Sequence, residues 1–511
     1  MNGNEITHLG VVGCGAMGQG IAQLAACAGL QVRLHDMRPE AAAQARERIL
    51  AELEKQRDKG RVSDAQLEQA RVGLLPVEGV QGLAGCQLVV EAIVEELPAK
   101  QALFRQLEAL LGDEAILASN TSSLSITAIA AACEAPGRVA GLHFFNPVPR
   151  MRLVEVIPGL ATDEHVVERL LALVRRLGHQ PVRAQDSPGF LVNHAGRAYG
   201  TEALRILAEG VAAPAEVDAL LRDGAGFPMG PFELMDLVGL DVSVPVMESI
   251  YRQYYEEPRY RPHPLLRQRL AAGHLGRKSG RGFHRYPPPD AVEQPPIVAL
   301  DGPRMPVWLG LDEGFDAALL RPWLEGLGAV LEEGKRPSAG ALCLLAPLGL
   351  DATEAALHLE LDPTRVVAFD ALAERTSHRC LMSTPVTRPD CLEAARALFA
   401  ADGGKVTVIR DSAGFVVQRT LAGIVNLACD IAQQGIAKPA DIDLALHLGL
   451  GYPLGPLAWG DHLGAARVLS ILQRLHALSG DPRYRPSPWL RRRARLGLSL
   501  LHVDAPFQGE R

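Results

Sequence analysis

The sequence has no CxxC pair: its eight cysteines are scattered over 511 residues. That spacing excludes the usual zinc patterns and a secreted disulfide framework, so no metal is expected. Nor is there a run of about 20 apolar residues, the length a membrane-spanning helix needs, so no membrane partner is expected. Basic charge is not in excess: Lys and Arg number 52 against 59 Asp and Glu, a net charge of −7. Proteins that bind nucleic acid regardless of sequence are usually basic, so nucleic acid is not an expected partner. One local basic patch for a phosphorylated ligand stays compatible with these numbers. The opening MNGNEITHLGVVG carries no basic segment leading into an apolar core, and the cytoplasm is the expected compartment.

What is present reads as an ordinary globular chain, 48% hydrophobic and 22% charged. Its length suits three or four domains at about 150 residues each. Near the start, THLGVVGCGAMGQGIAQLAACAGLQVRLHD opens with a short apolar strand over 9–12. Gly13, Gly15 and Gly18 follow in GxGxxG spacing, then a helical pattern ended by Gly29, a second strand over 31–35, and Asp36. Gly13 permits the tight turn. Gly15 lets backbone N–H groups approach a pyrophosphate, and Gly18 lets helix and strand pack closely. A carboxylate at Asp36 can bond a ribose diol and repels a 2′-phosphate, so NAD is favoured over NADP, a preference that nearby Arg38 weakens slightly. The glycines alone are a weak signal; in a strand–turn–helix–strand–acid context they are strong. FAD would use a similar turn, so the cofactor's identity depends on the chemistry further on.

Residues 38–74 predict an antiparallel helix pair broken near Gly60, rich in Arg46, Arg48, Lys55, Arg57, Lys59 and Arg61. Such a run is usually a solvated face; the alternative is a site for an anionic ligand tail. CQLVVEAIVEELPAK predicts a buried strand over 88–92, a loop with Glu95 and a helix with Lys100. AILASNTSSLSI predicts another strand, ending in a polar cluster from Ser119 to Ser123. In doubly wound sheets ligands bind past the carboxyl ends of the strands. The same cluster also suits a plain helix N-cap.

GLHFFNPVPRMRLVEVI places His143 and Glu155 in two apolar strands. If these strands pair, imidazole and carboxylate can meet, and the acid orients the ring and stabilises its protonated form. Taken alone, His143 fits a core histidine as well as a catalytic one. Beside a dinucleotide fold the catalytic reading wins, because a proton must leave the hydroxyl as hydride leaves carbon. DSPGFLVNHAGRAYGTEALRILAEG predicts a helix capped by Asp186 or Ser187 with Pro188 in its first turn. Further helices are predicted over 215–221 and 231–238.

Together HFFNPVPRMRLVEVI, ASNTSSLSI, DSPGFLVN and FPMGPFELMDLVGLD resemble the L-3-hydroxyacyl-CoA dehydrogenases, over residues 6 to about 286. The resemblance implies NAD-dependent oxidation of a (3S)-3-hydroxyacyl-CoA to the 3-oxoacyl-CoA. By that resemblance His143 is the general base and Glu155 its partner, Ser122 contacts the substrate, and Asn193 helps hold the substrate's reacting end. Asn146 falls at the junction of cofactor and substrate, Glu95, Lys100 and Lys278 at cofactor-contacting positions, and Lys59 near the CoA. Dimerisation through the helical domain is likewise implied by resemblance only, as is an acyl-CoA partner.

The chain also repeats. DSAGFVVQR from Asp411 matches DSPGFLVNH from Asp186 at a separation of 225, and GYPLGPLAWGDHLG from Gly451 matches GFPMGPFELMDLVG from Gly226 at the same separation. The proline-rich stretch 285–296 reads as the linker. Between linker and repeat, residues 297–410 resemble a worn Rossmann unit without GxGxxG. There the histidine position falls near Asp370, no LVEVI strand is expected, and Gln418 answers Asn193. The predicted architecture is therefore an α/β Rossmann-type NAD domain (1–185) and an all-α 3-hydroxyacyl-CoA dehydrogenase C-terminal domain (186–286). A degenerate Rossmann-like unit (297–410) and a second all-α domain (411–511) follow. The second half is expected to bind no nucleotide and to pack on the first, shape the acyl pocket or mimic a dimer contact within one chain.

This layout resembles the long two-copy members of bacterial aromatic-acid breakdown, the 3-hydroxyadipyl-CoA dehydrogenases of the phenylacetate route. A far carboxylate would want a cation, with Arg150, Arg152 and Arg197 as candidates. 3-Hydroxybutyryl-CoA is the competing substrate, and a non-catalytic NAD-binding scaffold of the same fold is the rival function.

Overall fold

A computed structural model describes residues 5–287, 305–372 and 377–505. Residues 288–296 of the expected linker lie outside the described residues. The chain divides into two compact units: 1–194 with 434–450, and 195–433 with 451–511. No helix among the described residues is long and apolar enough to cross a membrane.

The first unit is built on eight strands: β1 (His8–Val12), β2 (Gln31–His35), β3 (Leu74–Pro76), β4 (Leu88–Glu91), β5 (Ile116–Ser119), β6 (Val139–Phe144), β7 (Leu153–Pro158) and β8 (Gln180–Arg183). They lie in the order β3-β2-β1-β4-β5-β6-β7-β8. The first six run parallel, β7 runs antiparallel to β6, and β8 follows β7. Strand order reverses at β1, and that switch point opens the crevice where doubly wound sheets bind ligands. Every residue of β4, β5 and β6 is buried, as expected for parallel strands covered on both faces. Successive residues alternate between two cores. Leu9, Val11, Leu88 and Val90 join Ile21, Ile49 and Leu170 on one face. Val12, Val89 and Leu117 join Phe104, Leu107 and Ile129 on the other. Each such side chain, fully buried, contributes roughly 1.5–3 kcal/mol. The helix pair Ala41–Asp58 and Asp64–Gly73 forms as expected, broken at Gly60, with a Ser63–Gln66 capping box starting the second helix.

The second unit carries helices, among them Arg197–Ala208, Pro214–Ala219, Pro231–Val238 and Val417–Gln433, and a five-stranded sheet. Its strands are β9 (Val307–Leu311), β10 (Leu342–Ala346), β11 (Val366–Phe369), β12 (His378–Ser383) and β13 (Lys405–Ile409), in the order β13-β12-β11-β10-β9. Three parallel strands, then an antiparallel one and its parallel neighbour, reproduce β4 to β8. Among the described residues nothing reproduces β1 to β3, the half that holds the glycine turn.

Two expectations need correction. The second copy does have a counterpart of LVEVI: it is β12, HRCLMS, antiparallel to β11. Its polar His378 and Arg379 hide it from a search for an apolar run. Asp370 N donates to Cys380 O at 3.0 Å, so Asp370 and Cys380 stand where His143 and Glu155 stand in the first copy. The second correction concerns Asp186, which does not cap its own helix. Its carboxylate accepts from Ser125 Oγ, Ile126 N and Thr127 N at 2.7–2.9 Å, starting the helix Ile126–Ala130. Asp411 does the same for the second copy, accepting from Ala352 N and from Thr353 N and Oγ1.

Removing either cap leaves backbone donors unpaired. Asp186→Ala and Asp411→Ala are each expected to cost about 2 kcal/mol, read as a lower urea midpoint. An unchanged midpoint for both would show that the caps carry no stability.

Candidate active site

The turn from β1 into the helix Ala16–Cys27 is closed by backbone contacts that only glycine permits. Gly13 has φ +101°, and a Cβ there would lie 2.4 Å from Ala92 O. A Cβ on Gly18 would lie 1.8 Å from Gly13 O, so helix and turn touch through backbone alone. Gly15 differs: a Cβ would meet nothing within 4 Å, and no side chain caps the helix it begins. Open space before uncapped helical N–H groups fits a pyrophosphate. Cys14, in the same turn, is no nucleophile: burial, helped by Asp36, pushes its thiol up to about 11.

Asp36 ends the second strand of this motif. It accepts from Cys14 N at 2.8 Å and Arg38 N at 3.0 Å, and pairs with Arg38 Nε at 3.1 Å. Burial acts to raise its pKa, but the Arg38 and Cys14 donors outweigh that and bring it down to about 2. The carboxylate therefore stays charged through the neutral range, as a ribose-diol acceptor must.

His143 and Glu155 face each other directly across the β6–β7 pair. Nδ1 lies 2.6 Å from Glu155 Oε2, and both side chains are buried. The other oxygen, Oε1, accepts from Leu191 N at 3.0 Å and Val192 N at 2.8 Å, the start of the short helix Val192–Ala195. With a carboxylate accepting, Nδ1 carries the hydrogen and Nε2 keeps its lone pair for a substrate proton. Phe145 and Phe190 flank the ring, 4.5 and 5.8 Å from it between centroids.

A second acid organises the neighbouring strand ends. Glu95 Oε1 accepts from Thr121 Oγ1 (2.6 Å), Ser122 N (3.0 Å), Ser123 N (3.1 Å) and Ser123 Oγ (2.9 Å). Burial acts to raise its pKa, but Lys100 and these donors hold it below the usual carboxylate range. Lys100 is itself buried, 2.6 Å from Glu91 and 3.2 Å from Glu95. Glu91 also takes Ser119 Oγ at 2.6 Å and Ile93 N at 2.7 Å. Asn120 Oδ1 accepts from Phe144 N at 2.9 Å, tying the end of β5 to the residue after His143. Sequence reasoning overlooked Glu91, although an acid closing the apolar run LVVE was its signal.

In the first unit Gly13 and Gly15 lie in the turn after β1, Asp36, Glu95, Ser122 and Asn146 in loops beyond strand ends, Gly18, Lys100 and Asn193 on helices, and His143 and Glu155 within β6 and β7. Asn146 is exposed and Asn193 partly so. Lys59 is exposed at the end of the helix Ala41–Asp58. Lys278 belongs to the second unit, where it pairs with Asp241. Of the hairpin's cations, Arg46 is tied to the Leu74 and Arg71 carbonyls and Arg57 to Asp58 and Asp64.

In class, a glycine turn, a carboxylate closing the second strand and a His–Glu pair facing across β6 and β7 define a dinucleotide-dependent dehydrogenase. The family model for the 3-hydroxyacyl-CoA dehydrogenase NAD-binding domain matches residues 8–187, and that for the C-terminal domain matches 189–286 and again 414–500. The 3-hydroxyadipyl-CoA dehydrogenase of Escherichia coli K12 is 39% identical over 96% of this chain and 98% of its own. A probable 3-hydroxybutyryl-CoA dehydrogenase of Bacillus subtilis is 42% identical over 55% of this chain and 98% of its own. A crystal structure of 3-hydroxybutyryl-CoA dehydrogenase from E. coli K12 superposes with TM-score 0.84, at 38% identity, over 96% of this chain and 99% of that one. The chain belongs to the 3-hydroxyacyl-CoA dehydrogenase family. It is an oxidoreductase that oxidises 3-hydroxyacyl-CoA with NAD.

Asp36→Ala is expected to weaken NAD and leave NADP, which the carboxylate repels, less affected. Titration of both cofactors by protein fluorescence checks this; an unchanged NAD/NADP ratio would remove the ribose contact.

Proposed function

We propose that His143 Nε2 takes the 3-hydroxyl proton of the substrate while Glu155 stabilises the imidazolium that forms. The bound nicotinamide supplies the hydride acceptor. The 2.6 Å contact between Nδ1 and Oε2 carries this reading. It fixes the tautomer, and the two backbone N–H bonds to Oε1 keep the carboxylate from turning away. Ser122 and Asn193 hold the reacting end of the acyl group. Glu95 positions Ser122 through its backbone N–H, and Lys100 holds Glu95 toward the cofactor. Asn146 serves the junction of cofactor and substrate, Lys278 the cofactor, and Lys59 the CoA. Phe145 and Phe190 keep water from the imidazole, which favours transfer of hydride over side reactions. An intact His–Glu pair has no use in a non-catalytic scaffold.

The substrate we infer is 3-hydroxyadipyl-CoA, oxidised to 3-oxoadipyl-CoA in phenylacetate degradation in the cytoplasm. Its support is a relative of that name similar across both copies rather than one. 3-Hydroxybutyryl-CoA is the second reading, favoured by the name of the crystal structure that covers equal length. For organisation we propose domains 1–185, 186–286, 297–410 and 411–511, assembled as a homodimer.

His143→Gln is expected to lower kcat by roughly a hundredfold to ten-thousandfold, the range of a general base, with NAD affinity kept. Turnover near the parent's would end the assignment. On a substrate panel, the C6-dicarboxylyl thioester is expected to give the higher kcat/KM. A C4 thioester matching or exceeding it would favour the second reading.

A further inference from the structure

One stretch of the second copy, residues 434–450, is part of the first unit. Gln185 N donates to Ile436 O at 2.8 Å, and the helix Pro439–Leu450 then packs on β7 and β8. The exchange is reciprocal. In the second unit Arg410 N donates to Val211 O at 3.1 Å, and the turn Leu220–Gly224 packs on β12. These are the same residues displaced by 225 positions. Each copy's sheet is thus completed by the other copy's helix.

On the catalytic sheet the contact falls beside the proton-transfer pair. Gly449 sits in the last turn of its helix. A Cβ there would lie 3.0 Å from Leu153 Cδ2 and 3.2 Å from both methyls of Val192. Leu153 and Glu155, two apart on β7, project from the same face. Val192 N is a donor to Glu155 Oε1. Gly449 therefore touches the residue two before the acid on its strand, on the same face, and the residue whose N–H holds that acid.

We propose that Gly449 is a positioning residue for the dehydrogenase reaction: by bringing a side-chain-free turn against Leu153 and Val192, the second copy sets where Glu155, and through it His143, is held. The proposal rests on the reading of His143 and Glu155 as the proton-transferring pair. A larger side chain at 449 pushes Val192, and with it a donor to Glu155, off its place.

The test uses the full chain. Gly449→Val is expected to lower kcat about tenfold to a hundredfold, the scale for a displacement of about 1 Å. KM for the acyl-CoA and the NAD dissociation constant should stay within about twofold, as when an interaction specific to the transition state is lost. Gly449→Ala, the smaller intrusion, should fall between it and the parent. Adding Val192→Ala to Gly449→Val removes the methyls in the way and should recover most of the lost kcat. Simple destabilisation predicts the reverse, since trimming a second buried side chain costs further stability. Parental kcat in Gly449→Val, or a double variant no faster than the single, overturns the proposal. His143→Gln measured alongside separates the two failures: if it too turns over like the parent, the catalytic reading fails, and otherwise only the role of Gly449 does.

Discussion

The buried carboxylate of Glu155 is the constraint on which the site depends. A charge taken out of water is tolerated only where donors replace the lost hydration. Here three do: one imidazole N–H and two backbone N–H groups at the start of a helix. They come from separate parts of the chain, so satisfying the carboxylate fixes the β6–β7 register and the entry of the helix Val192–Ala195 at once. A slip of one residue would turn every side chain of β7 to the other face and leave the acid buried without partners. The orientation of His143 thus follows from the same contacts that make the fold tolerable.

Glu91 and Glu95 apply the same logic one strand away. Both are acids near the carboxyl end of β4, both share Lys100, and between them they take hydroxyl and backbone donors from Ser119 through Ser123. A loop of small polar residues would otherwise be free to move. Gathered on two carboxylates, it is held at the crevice where the switch point of the sheet opens. Lys100 therefore acts from inside the protein rather than at its surface.

The parts readable from sequence are those whose partners are near or whose spacing is forced. The glycine turn and Asp36 follow from one strand–helix–strand unit. The His143–Glu155 pair follows from two apolar strands close enough in sequence to lie side by side. Long-range partners left no local mark. Asp186 looked like a cap for its own helix and proved to start one some 60 residues earlier. Glu91 looked like the end of a strand, and β12 was hidden by its polar residues. The repeat was evident from matched motifs at one offset, but matched motifs do not say which copy's helix covers which sheet.

That pairing explains what the second copy retains and what it has given up. Among the described residues its sheet has no counterpart of the glycine-bearing half, and Asp370 and Cys380 stand where His143 and Glu155 stand in the first copy. Gln418, in the place of Asn193, is fully buried, accepting from Gly349 N and donating to Pro347 O and Asp370 Oδ1. These three bonds tie Gln418 into the core between Pro347, Gly349 and Asp370. Whatever the second copy's own residues do, its segment 434–450 is part of the first unit. Its Gly449 lies against Leu153 of β7 and Val192 of the helix Val192–Ala195, both buried. A copy that lends one helix to its twin's sheet remains part of that twin's packing, and through Gly449 it lies against the surroundings of Glu155.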